Sequence, residues 1–235
     1  PELILNLFQY GLIEKGVNVT QGGAQYYNMC VDGSGIAVVA DSFAACEQRV
    51  DREKKLTYGQ LNRFIAEDWQ GVEGERYRQL MEHSARFGGG ETRGDFWAQR
   101  VNECWTRLVR DLVRQHPGIN FIPGYFSWSN TILLGKQVGA TPNGRHARAA
   151  INHGANPNGG FRGDGAVTAM CNSIAAIQPG YGNTAPVQLE LDPTLANTPE
   201  GVDKMCAMIR GILDSGNTLL NINLIDAKKI LDAHK

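Results

Sequence analysis

Between Leu112 and Gly163 the chain carries no Asp or Glu, yet it holds Arg114, Lys136, Arg145, Arg148 and Arg162 with His116, His146 and His153. Cationic side chains gathered this way suit an anionic ligand, a carboxylate or phosphate seated among loop amides and guanidinium groups. They equally suit ion pairs with acids from elsewhere in the fold. Both readings stay open. Thr141, Arg145, Arg148 and Arg162 are the candidate residues of an anion-binding or structural loop.

Other chemistries leave fainter marks. Gly33-Ser34-Gly35 suggests a dinucleotide loop, but Val38 stands where the third glycine belongs and no clear strand precedes it. There is no Walker loop and no G-x-S-x-G elbow. The histidines at 83, 116, 146, 153 and 234 do not pair at i,i+4 with a third ligand nearby, so no metal is expected. Cys30, Cys46, Cys104, Cys171 and Cys206 are odd in number and form no CxxC pair. They read as reduced thiols packed as small apolar groups in a cytoplasmic protein.

The elements that must position these residues follow from pattern. Residues 33–55 bring Ile36, Val39, Phe43, Ala44, Cys46 and Val50 to helical spacing. Thr57 with Gln60 fits a capping box for a helix whose apolar face is Leu61, Phe64, Ile65 and Trp69. After a glycine-rich break at Phe87–Gly94, Asp95 is expected to cap a long helix that Pro117-Gly118 ends. Phe121–Leu134 reads as a strand, with Tyr125, Ser127 and Ser129 on one face and Phe126 and Trp128 on the other. Residues 139–165 are loop, with Thr141-Pro142-Asn143-Gly144 a turn. A helix over 166–178, a strand over 185–192, a helix from Thr198-Pro199 to Gly216, a strand over 218–225 and a helix capped by Asp226 complete the chain. Strands alternating with helices favour an α/β architecture with parallel strands.

Composition bounds the class. The chain has 235 residues, 42% hydrophobic and 20% charged, with 23 basic against 24 acidic side chains and a net charge of −1. That excludes a disordered chain and a global positive field for nucleic acid. No apolar run approaches the ~20 residues of a membrane span, and the first residues do not resemble a signal peptide. A cytoplasmic location is expected. The chain begins at Pro1 and stops inside a helix-like pattern, so it reads as one domain fragment over 1–235, truncated at both ends.

Four segments taken in order, GGAQYYN, GIAVVADSFAA, GATPNGR and LNINLIDAKKIL, resemble the glycyl radical enzymes, the pyruvate formate-lyase-like family. The resemblance extends over nearly the whole chain. Two departures stand out: Asn143 replaces an Asp of the family's ATPDGR loop, and FGGGETRGD matches its segment poorly.

The resemblance implies about half of a ten-stranded α/β barrel, parallel strands inside and helices outside. It implies a radical lyase acting on a small molecule, by C–C cleavage as in formate acetyltransferase, by dehydration or by decarboxylation. An activating enzyme with S-adenosylmethionine and an iron–sulfur cluster would install a glycyl radical, and this chain would bind no cofactor directly. The thiyl-cysteine loop would precede Pro1 and the radical glycine would follow Lys235. Cys30 follows GGAQYYNM but lies downstream of the thiyl position. Substrate-pocket candidates are Tyr125, Ser127, Ser129, Asn221 and Asn223. Implied partners are the substrate, the activating enzyme, and a second copy or the missing half of the barrel. The alternatives are a non-catalytic scaffold or assembly module without radical machinery, and an unrelated anion-binding α/β protein.

Overall fold

The structure is a computed structural model that describes residues 2–116, 119–125, 130–159, 165–177 and 185–233. Two short helices, α1 (Leu3–Leu7) and α2 (Leu12–Lys15), lead into strand β1 (Asn28–Gly33). Gly35 then takes a left-handed φ of 85°, which any residue with a Cβ would resist, and turns the chain into helix α3 (Ile36–Ala45). The winding loosens to a π-helical segment over Cys46–Arg52.

Helices α4 (Tyr58–Ala66) and α5 (Gly71–Glu82) follow, then the long α6 (Arg93–Gln115). The Thr57–Gln60 capping box opens α4 as expected. Strand β2 (Asn120–Tyr125) and helix α7 (Asn130–Gly135) precede the 139–159 loop. The last part is α8 (Ala166–Ala176), β3 (Val187–Leu191), α9 (Pro199–Asp214), β4 (Leu220–Leu224) and α10 (Ala227–Ala233).

The pairing is parallel in both described sheets. β1 lies on β2 with Asn28 opposite Asn120 and Gly33 opposite Tyr125. β3 lies on β4 with Val187 opposite Leu220 and Leu191 opposite Leu224. Parallel neighbours require crossovers, and α3 to α6 form the first while α9 forms the second.

Four expectations are corrected. A strand does precede the Gly33–Gly35 turn, and its partner β2 lies 92 positions away, beyond the reach of local pattern. The single strand expected over Phe121–Leu134 does not hold throughout: the described strand is Asn120–Tyr125, and Asn130–Gly135 is helix. At Gly135 a Cβ would stand 2.3 Å from the Ala149 carbonyl oxygen, so the helix end is fitted against the following loop. Thr92, not Asp95, caps α6; Asp95 sits at the third helical position and completes a capping box with it. Val39 and Phe43, expected in the core, stand 38% and 47% exposed. The buried face of α3 is Ile36, Ala37, Ala40 and Ala44. Phe126–Ser129, Arg162 and the helix stop at Pro117-Gly118 lie outside the described residues.

Two cores form. The larger joins Ile36, Ala37 and Ala40 of α3 to Ala98 of α6, Tyr125 of β2, Ile174 of α8, Val187 and Leu189 of β3 and Ile212 of α9. The smaller packs Leu61, Phe64, Trp69 and Met81 around α4 and α5. Burying such side chains supplies ~1.5–3 kcal/mol each.

Candidate functional site

The β3–β4 sheet has two unlike faces. Val187 and Leu189 are buried in the larger core, with Leu191 and Leu220 packed against it. The alternate positions are Gln188 opposite Asn221 and Glu190 opposite Asn223, all polar. Period-two alternation puts these four side chains together on the face turned from the core. Gln188 Nε2 and Asn223 Nδ2 both donate to Glu190 Oε1, the latter at 3.4 Å.

His153 comes from the 139–159 loop, which Asn156 ties to the Gln188 backbone, and lies within the field of Glu190. Burial pushes its imidazole below the ordinary histidine range, while the nearby Glu190 carboxylate pulls the other way. The cluster thus offers a carboxylate, an imidazole and three amides, a set that can grip hydroxyl groups from several sides. Asn221 and Asn223 had their place in the sequence, through the resemblance of LNINL. Glu190 and Gln188 did not; the alternation of VQLEL, read as polar against apolar, carries them.

The loop that delivers His153 is stitched in place by asparagines. Asn152 Oδ1 accepts from the Ala37 amide at 3.1 Å, capping α3 from a distance of 115 positions. Asn156 exchanges two hydrogen bonds with the Gln188 backbone, donating at 2.9 Å and accepting at 2.8 Å. Asn158 donates to Asp41 Oδ2 at 2.6 Å. Asp41 also accepts from the Phe87 amide at 2.7 Å and from Arg86 Nε at 3.4 Å. Burial raises the Asp41 carboxyl above its ordinary value, against the lowering pull of Arg86, Phe87 and Asn158.

The acid-free stretch resolves residue by residue. Thr141 to Arg145 form the expected turn: the Thr141 amide donates to the Arg145 carbonyl and the Gly144 amide to the Thr141 carbonyl, both at 3.0 Å, and Thr141 Oγ1 reaches Asn143 Oδ1 at 2.7 Å. The Arg145 guanidinium donates to the carbonyls of Ala149 at 2.6 Å, Val138 at 3.3 Å and Gly139. Burial lowers its proton affinity and Asp68 partly restores it. Arg114 pairs with Asp111 at 3.1 Å and His146 with Asp68 at 3.3 Å. The Arg148 backbone amide donates to the Val138 carbonyl, and its exposed side chain meets no acid among the described residues.

Tyr125, expected on the cavity side, lies instead toward the helices. It is 3% exposed, and its hydroxyl donates to Asn102 Oδ1 of α6 at 2.7 Å. A buried phenol needs such a partner. Asn102 in turn donates to the Ile177 carbonyl at 2.9 Å. By the same alternation Cys30 and Asp32 occupy the opposite face of β1, and Cys30 is exposed there. Cys46 is held up at about 11 by burial and by Asp51. Among the described residues no three His, Cys, Asp or Glu side chains converge as a metal site. None of their helices is long and apolar enough to cross a membrane.

The comparisons agree with this architecture. A family model described as pyruvate formate lyase-like matches residues 1–135. The trans-4-hydroxy-L-proline dehydratase of Clostridioides difficile is 24% identical over 228 residues, 95% of this chain and 28% of that protein. A solved structure concerning 1,2-propanediol dehydration in Roseburia inulinivorans superposes with a TM-score of 0.81 at 27% identity, over 95% of this chain and 29% of that one. A glycyl radical enzyme from Archaeoglobus fulgidus shares the fold with a TM-score of 0.79 at 21% identity, over 100% of this chain and 30% of that one. The chain therefore spans under a third of the length of the relatives it matches. With the family model covering residues 1–135 and the parallel α/β architecture continuing beyond them, the chain belongs to the pyruvate formate lyase-like family of glycyl radical enzymes.

Proposed function

We propose that residues 1–235 form about half of a ten-stranded barrel in a cytoplasmic glycyl radical lyase, with the polar face of β3–β4 turned to the substrate. The observation that carries this reading is the split of that sheet, Val187 and Leu189 in the core and Gln188, Glu190, Asn221 and Asn223 away from it. Helices cover the apolar side, as on the outside of a parallel barrel, so the polar side is the inner one. Asn221 and Asn223, with Glu190 and His153, would hold hydroxyl groups of a small polyhydroxylated or hydroxy-acid substrate. Among the family's reactions dehydration is favoured, because a hydroxyproline dehydratase and a propanediol-dehydration structure are relatives. A glycyl radical, installed by an S-adenosylmethionine-dependent iron–sulfur activating enzyme, would supply hydrogen-atom abstraction through a cysteine. By the resemblance both radical positions fall outside residues 1–235, so the residues of this chain would bind, orient and keep the site dry. Thr141 and Arg145 build the loop turn, and Arg148 is the loop cation left for an anionic group. Ser127 and Ser129, expected on the face of Tyr125, lose that argument for the pocket with it, and Arg162 keeps its proposed place from the resemblance alone. The alternative is a scaffold without turnover.

The test is substitution in the whole enzyme, assayed on a vicinal diol such as 1,2-propanediol. Asn223→Ala should lower kcat/KM about tenfold while the melting temperature holds. Unchanged kinetics in both Asn221→Ala and Asn223→Ala would remove the sheet face from the site. Absence of turnover by the activated whole protein on every small diol and hydroxy acid tried would favour the scaffold.

A further inference from the structure

A cavity of about 430 Å³ lies beside the smaller core, away from the β3–β4 face, lined by Lys55, Arg76, Tyr77, Gln79, Leu80 and His83. No carboxylate lines it. That contrasts with Arg49, Arg63 and Arg78 nearby, which are neutralised. Arg49 pairs with Glu53 at 2.8 Å, Arg63 with Glu73 at 2.9 Å, and Arg78 with Glu75 at 2.8 Å and Glu82 at 2.9 Å. Lys55 and Arg76 form no such pair among the described residues. Glu53, the acid whose field Lys55 touches, is already bound by Arg49 and Gln48.

The remaining walls are of another kind. Tyr77 is stacked on Phe64 with ring centroids 4.9 Å apart, which fixes the aromatic plane, and Leu80 stands one position beyond the helix's Gln79. His83 Nδ1 lies 2.7 Å from the Gln79 carbonyl oxygen, so the ring is oriented and its other nitrogen is left over. The lining thus combines two unpaired cations and an imidazole with an aromatic ring and an aliphatic side chain.

We propose that this cavity binds a phosphomonoester with an aromatic or apolar body, the phosphate between Lys55 and Arg76 and the body against Tyr77 and Leu80. Arg and Lys side chains are the usual partners of phosphate oxygens. The volume falls in the range of small-molecule pockets and exceeds what a bare phosphate fills. An acidic peptide would use the cations and leave the Tyr77–Leu80 wall idle.

Calorimetric titration of the full chain separates these cases, with phenyl phosphate, inorganic phosphate and a hexaglutamate peptide as probes. Phenyl phosphate should bind one to one, more tightly than inorganic phosphate, and more weakly as salt is added. Lys55→Gln with Arg76→Gln should weaken it by about tenfold or more, and Arg210→Gln on α9 should not change it. Lys55→Gln alone carries the test if the double variant melts early. Absence of phenyl phosphate binding, binding indifferent to Lys55 and Arg76, or tighter binding of hexaglutamate would each overturn the proposal.

Discussion

Asp41 and Phe87 are 46 positions apart in sequence, and the Asp41 carboxylate accepts the Phe87 amide at 2.7 Å. The same carboxylate takes the Asn158 side chain and Arg86, so one buried acid ties α3 to the glycine-rich break and to the 139–159 loop. The polar site depends on that loop for His153.

Asp41→Asn should therefore be costly at neutral pH. The amide oxygen can still accept from Phe87, but its NH₂ would face the donors of Asn158 and Arg86. Loss of a buried charge partner and a donor set facing a donor predict about 3 kcal/mol of destabilisation. Denaturant unfolding measures it. A loss below ~0.5 kcal/mol, the scale of an ordinary surface change, would show that Asp41 does not hold the junction.

Gly94 tests the α6 entry. A Cβ there would lie 2.2 Å from the Arg86 carbonyl carbon and from the Phe87 nitrogen. Gly94→Ala would gain about 1 kcal/mol of helix propensity, yet the clash with backbone should outweigh it and leave a net loss of about 1–3 kcal/mol. A raised melting temperature would contradict the packing of α6 on residues 86–87.

Asn102 bridges β2 and the end of α8 through Tyr125 and the Ile177 carbonyl. Asn102→Leu should cost about 2 kcal/mol and Tyr125→Phe about 1 kcal/mol. The double variant should lose less than the sum, because the two share one hydrogen bond. Additive losses in a double-mutant cycle would mean that the two side chains act separately.

His153 gives a pH signature. Its folded-state proton affinity is lowered, first by burial and in spite of Glu190. The unfolded chain then takes up a proton before the folded one as pH falls below about 6.5. Between that value and the lowered folded one, stability falls with falling pH, and above it this loss is absent. His153→Asn should flatten the stability profile over that window. A profile as steep as that of the unsubstituted chain would place the titration elsewhere.

The local elements were legible where one segment carries its own signal. Thr57 with Gln60, the Thr198-Pro199 start and the alternation of VQLEL all hold. What was not legible is long-range. β1 needs β2, α3 is capped by Asn152 from 115 positions away, and Tyr125 faces α6 because Asn102 waits there. Alternation told which residues of 121–125 share a side, not which side the helices cover. Helix α5, with few buried side chains beyond Gly74 and Met81, left no strong apolar period to read. The polar site was half visible: Asn221 and Asn223 came with the resemblance, whereas Glu190 comes within reach of Asn223 and of the field on His153 only in three dimensions.

On the function proposed above, these residues wall the site of a radical lyase whose radical positions the resemblance puts outside residues 1–235. The most direct test is electron paramagnetic resonance of residues 1–235, incubated without oxygen with activating enzyme and S-adenosylmethionine. A full-length family member run in parallel serves as the positive control. A glycyl doublet is expected from the control and none from this chain, with no diol turnover. A doublet from residues 1–235 themselves would contradict it.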